Sequence, residues 1–118
     1  ADMLNNQTAS VNLNQVNKLL RDFGGKLQSW PGTIRYANFC HFQGTRSLHL
    51  IFNTDQGPVT VFILPKDHGL PGHEDFSDPL FHGRSLQLAK ADIVMVAGIN
   101  QSLTPIEARL QQQLQFQI

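Results

Sequence analysis

The sequence predicts an α+β domain. Its expected core is a five-stranded antiparallel sheet, a three-strand meander plus a hairpin, with an N-terminal and a C-terminal helix in the order α-βββ-loop-ββ-α. Three observations predict it. Three strand-like runs follow one another through short Gly-containing links, as hairpins require. The run before them repeats apolar residues at helical spacing. A Pro-led segment with a second helical stripe closes the chain.

Residues 1–10 (ADMLNNQTAS) are polar and aperiodic, and read as a linker before a single domain over 11–118. Ser10 is the expected N-cap of a helix over 11–23, which carries Val11, Leu13, Val16, Leu19, Leu20 and Phe23 and stops at Gly24-Gly25. Residues 26–32 form a connection, with Trp30 pushed toward extended geometry by Pro31. The meander is TIRYANFCHF, RSLHLIFN and GPVTVFILP. Residues 65–83 form a long loop rich in Pro, Gly and His, with a short helical turn near Glu74 to Leu80. Strands follow over Arg84 to Ala89 and Ala91 to Ala97. Ser102 or Thr104 then caps a helix with Pro105 at its start and the stripe Ile106, Leu110, Leu114.

Composition narrows the function. The 118 residues suit one domain, and 41% hydrophobic content supplies a core. The formal net charge is zero, which excludes a general nucleic-acid binder and a polybasic membrane anchor. Cys40 is the lone cysteine, so neither an internal disulfide nor a zinc ribbon is available. No stretch has the length of a membrane span, and no signal peptide stands out. Starting on Ala1, the chain reads as a soluble piece of a longer protein.

Strand periodicity assigns the faces. A hairpin centred on Gly44-Thr45 sets Cys40 opposite His49 and Phe39 opposite Leu50. The next hairpin sets His49 opposite Phe62 and Leu50 opposite Val61. One face is then apolar throughout (Ala37, Phe39, Leu48, Leu50, Phe52, Val59, Val61, Ile63) and belongs under the helices. The other face is mixed. Its candidate binding residues are Tyr36, Cys40, His49 and Phe62, and the loop, a terminal helix or a partner is expected to cover it.

The Cys40 and His49 pair offers a nucleophile and a base, or half a metal site. Space filling on a half-buried face is the better reading, since a mid-strand thiol lacks the helix N-terminus that lowers a thiol pKa. The loop groups His68, His73, Glu74, Asp75, Asp78 and His82 could ligate a metal. Their spacing fits no zinc pattern, so turn chemistry is preferred; His68, His73 and His82 remain the candidate loop site. Asp92 is expected to face solvent or cap its strand. Tyr36, Phe42 and Phe62 lack the basic surround of an RNA-binding sheet. Neither a phosphate-binding glycine loop nor a nucleophile elbow is present, and no cofactor is implied.

The residues Tyr36-Ala37-Asn38-Phe39-Cys40-His41-Phe42, Ser47-Leu48-His49-Leu50 and Gly57-Pro58-Val59-Thr60-Val61-Phe62-Ile63-Leu64-Pro65, with His82-Gly83 further on, carry a resemblance over roughly residues 11–118. They resemble a bacterial family of membrane-anchored, anti-sigma-factor-like proteins. The resemblance implies a short cytoplasmic anti-sigma segment, one membrane span and a soluble C-terminal domain on the periplasmic side. This chain corresponds to that last domain, which has no catalytic set to carry over. The expected role is non-catalytic sensing or interaction with a protein or small-molecule signal. Contact with a membrane comes only through an upstream anchor. The alternatives are a self-association module forming a homodimer, and a small thiol-dependent enzyme using Cys40 and His49.

Overall fold

The first helix, α1, spans Leu13–Leu20 and runs on into a 3-10 turn at Arg21–Phe23. Its N-cap is Asn12, not Ser10, which lies outside the described residues. The Asn12 side chain accepts from the Gln15 N–H at 2.9 Å and Gln15 Oε1 accepts from the Asn12 N–H at 3.1 Å. A cap of this kind contributes roughly 1 kcal/mol. Gly24 ends the turn at φ 72°, a left-handed conformation that favours glycine. The computed structural model describes residues 11–30, 32–42, 44–66, 74–88 and 90–116.

The described residues form two helices and eight strands, which corrects the expected five-stranded sheet. After α1 come β1 (Gly25–Leu27), β2 (Ile34–Phe42), β3 (Thr45–Thr54), β4 (Gly57–Pro65), β5 (Glu74–Ser77), β6 (Phe81–Gln87) and β7 (Ala91–Gly98). The second helix, α2 (Thr104–Gln113), and the strand β8 (Leu114–Phe116) complete the order. An antiparallel six-stranded sheet runs β2-β3-β4-β7-β6-β5, and β1 pairs with β8 in a separate two-stranded sheet. The strands that the sequence pattern did not reveal are β1, β5 and β8. At three or four residues each, they are too short to show a period.

Where a helical turn was expected near Glu74 to Leu80, β5 pairs with β6 instead. The Asp78 carboxylate makes the tight link, accepting from the Leu80 and Phe81 N–H groups at 2.8 Å each. The final helix also differs at its start. Thr104 is already helical, the N-cap is Leu103 without a side-chain cap, and Pro105 stands in the first turn. In β7, central between β4 and β6, every residue from Ala91 to Met95 is buried.

The register of the first hairpin is shifted by two residues from the expected one. Cys40 lies opposite Ser47, Asn38 opposite His49 and Ala37 opposite Leu50. A slip of two keeps every side chain on its expected face. The second hairpin has the expected register, with His49 opposite Phe62 and Leu50 opposite Val61.

The helices and the small sheet all pack on one face. Val16 and Leu20 of α1, Ile106 and Leu110 of α2, and Leu27 and Leu114 of the small sheet join Leu48, Leu50, Phe52, Val61, Ile63, Ile93 and Met95 in one core. Phe52 is fully buried, worth about 2–3 kcal/mol of apolar transfer. Trp30 lies over it, with ring centroids 4.2 Å apart.

Candidate functional site

The opposite face of the large sheet is where the chemistry-bearing residues meet. Tyr36 on β2, His49 on β3 and Phe62 on β4 form a run of rings. Tyr36 tilts against His49 with centroids 5.1 Å apart, and His49 stacks on Phe62 at 4.7 Å. Phe42 extends the run, 4.9 Å from Phe62. All four rings are half-buried. Such spacings lie in the range where ring pairs attract.

Cys40 belongs to this face but is not set opposite His49. Its Sγ lies 3.2 Å from Ser47 Oγ, the residue directly across the strand pair. The imidazole is engaged by rings, and its Nε2 is buried without a hydrogen-bond partner. Burial lowers the His49 pKa, which favours the neutral ring. A thiol bonded to a serine and a neutral imidazole held between rings are not arranged as nucleophile and base.

The face changes character along the strands. At one end Leu64 and Ser47 are fully buried, and Asp92 is 1% exposed, which corrects the solvent-facing expectation. Asp92 lies directly across the strand pair from Leu64. The Lys66 ammonium lies 3.6 Å from its carboxylate and donates to the Leu88 carbonyl at 2.9 Å. Further along, the face opens. One cross-strand row runs Tyr36, Ile51, Thr60, Val96, Gly83 and Phe76, touching all six strands. Its side chains are half-buried apart from Phe76, which is 49% exposed. Phe81, 51% exposed, stands on the same face one step further.

Gly83 makes that row possible. A Cβ there would collide with the Phe76 ring and lie 2.7 Å from the Met95 carbonyl oxygen. The Phe76 ring therefore rests on bare backbone.

The loop candidates do not assemble. His68 and His73 lie outside the described residues. His82 points to the helical side, where its ring N–H donates to the Gln101 carbonyl. Asp75 is held by Arg84, whose Nε and Nη2 donate to its two carboxylate oxygens at 2.7 and 3.0 Å. Arg84 Nη1 donates to Glu107 Oε1 at 2.8 Å and to Thr104 Oγ1 at 3.2 Å. The two carboxylates raise the pKa of this guanidinium and lock β5 and β6 to α2. Among the described residues, no three His, Cys, Asp or Glu side chains gather as a metal site.

A cleft of about 510 Å³ escaped the sequence reading. It lies between Trp30, the β3-β4 turn at Asn53 to Gln56, and the start of α2, with Arg109 on its wall. Its walls come from three distant segments, and the lone tryptophan was the one available pointer. Among the described residues, no helix is long and apolar enough to cross a membrane.

A family model described as a protein of unknown function, DUF3379, matches residues 1–114. No curated protein and no solved structure matches the chain.

Proposed function

The chain belongs to the DUF3379 family, and from that premise we propose that it is a non-catalytic binding domain acting through the second face of its large sheet. The observation that carries this reading is the open row from Tyr36 to Phe76. Both helices lie on the opposite face, so partly exposed aromatic and aliphatic side chains line a sheet surface with no described helix over it. A surface of that kind marks an interaction site. The separation of Cys40 from His49 by register, and the capture of each by another neighbour, support binding over turnover.

The setting we propose is the periplasmic sensory or interaction domain of a membrane-tethered, anti-sigma-factor-like regulator. It rests on the resemblance carried by the β2, β3 and β4 segments. The test uses the full-length parent protein with a C-terminal tag. Protease added to spheroplasts should remove the tag, and Thr60→Arg should alter transcription from a sigma-dependent reporter. A tag protected in spheroplasts overturns the setting. A reporter indifferent to Thr60→Arg and to Phe76→Lys overturns the regulatory role of the face.

A further inference from the structure

The cleft beside Trp30 lies on the helical side of the sheet, separate from the second face. We propose that it is a carbohydrate site, with an uncharged hexopyranose ring laid against Trp30.

The aromatic platform is the first argument. Phe52 packs on the Trp30 indole, and the indole N–H donates to the Asn53 carbonyl at 3.4 Å. These two contacts pin a side chain that is only half-buried and borders the cleft. A Cβ at Gly32 would collide with the Asn53 carbonyl oxygen, so the wall beside the ring is bare backbone. An aromatic face is negative at its centre and attracts the C–H groups that a pyranose presents from the side of its ring.

The polar lining is the second. Asp55 is exposed in the β3-β4 turn and Arg109 is exposed on α2, so the walls carry one anion and one cation. Neither is ion-paired with another described residue. Thr33 and Ser102 add hydroxyl groups to the lining. A ligand with net charge meets a like charge here as well as an opposite one. Sugar hydroxyls both donate and accept, so one ring can satisfy a carboxylate, a guanidinium and a hydroxyl together.

Preorganisation is the third. Thr54 Oγ1 donates to the Gly57 carbonyl at 2.8 Å and accepts from the Gln56 N–H at 3.2 Å. Gln56 Oε1 accepts from the Ser102 N–H at 3.3 Å, which ties the turn to the segment before α2. The walls are thus held in place before a ligand arrives, and little ordering opposes its capture. The volume of about 510 Å³ falls within the usual range of small-molecule sites, roughly 300–1,000 Å³.

Trp30 is the lone tryptophan, so its emission reports on this cleft. The test titrates the 118-residue chain with maltotriose, cellotriose and tri-N-acetylchitotriose, and with L-phenylalanine as a zwitterion that also carries an apolar ring. We expect at least one trisaccharide to shift the emission, half-saturating at ~1–10 mM. Asp55→Ala and Arg109→Ala, at exposed positions that the fold does not need, should each weaken that response at least ~10-fold. Phe76→Lys, on the second face, should leave it unchanged. An emission unmoved by all three trisaccharides at ~50 mM overturns the proposal. A response indifferent to both Asp55→Ala and Arg109→Ala overturns it too. A response to L-phenylalanine alone makes the cleft a zwitterion site and overturns the carbohydrate assignment. Loss of the response in Phe76→Lys places the sugar on the second face, which also overturns it.

Discussion

His49 lies nearly flat on Phe62, the planes 18° apart, at directly opposed positions of β3 and β4. Tyr36 closes on the imidazole from the neighbouring strand. The contact holds the ring where water reaches it poorly, so a proton on His49 costs more in the folded chain than in the unfolded one.

This gives a pH dependence with a definite sign. The folded pKa of His49 lies below its ordinary value of 6.5. Between the two, the unfolded chain holds more protons, so stability rises with pH across that window. Above 6.5 both states are neutral at this site and its contribution is flat. Thermal melts should therefore show a loss of stability as pH falls below 6.5, and His49→Phe should remove that part of the slope. An unchanged slope in the variant contradicts the assignment.

Gly83→Ala should be costly for a residue so small. The new methyl meets the Phe76 ring and the Met95 carbonyl oxygen, and the latter belongs to a central strand that cannot move aside. We expect a loss of about 1–3 kcal/mol, the range for overpacking. Amide exchange should be faster in β5, a four-residue edge strand, than in β6 and β7, which are paired on both sides. Denaturant melts with exchange measurements check both.

Arg84 is the clasp between the sheet edge and α2. Arg84→Met keeps much of the aliphatic stem but leaves Asp75 and Glu107 without its guanidinium. We expect a loss of roughly 2 kcal/mol in urea unfolding. Glu107→Gln retains the Asp75 pair and should lose about half as much. Equal losses from the two variants would show that the Asp75 pair adds nothing once the Glu107 contact is weakened.

Trp30→Ala should also destabilise the chain. It removes the ring that lies 4.2 Å from Phe52 and the N–H that donates to the Asn53 carbonyl at 3.4 Å. Trp30 is half-buried, so we expect about 2 kcal/mol, below the range for a fully buried tryptophan. The variant should also widen the cleft at the start of α2.

How much of this was legible follows from residue patterns. The alternation through Leu48, Leu50, Phe52 and Val59, Val61, Ile63 is strong enough to set the core face, and the loop at Thr54 to Gly57 sets the second register. The first register was misplaced by two because Gly44 sits at one end of the turn, with Thr45 already pairing to Phe42. The insertion of β7 between β4 and β6 was invisible, because it depends on which edge a later hairpin finds. That placement set Asp92 beside Leu64 and Val96 beside Thr60. Tyr36, His49 and Phe62 were found as one cluster because period two alone puts them on one face. Phe76 was missed because β5 had been read as a helical turn.

The small sheet has a consequence for how the chain is made. Gly25, Lys26 and Leu27 pair with Phe116, Gln115 and Leu114, and Gln28 and Gln115, 87 positions apart, share a side-chain hydrogen bond. A ribosome adding ~5–20 residues per second leaves β1 without its partner for about 4–18 s. During that interval Leu27 lacks the Leu114 it pairs with, and the core lacks Ile106 and Leu110 of α2. The newborn chain thus has a vulnerable period set by the speed of translation, and the arrival of β8 ends it.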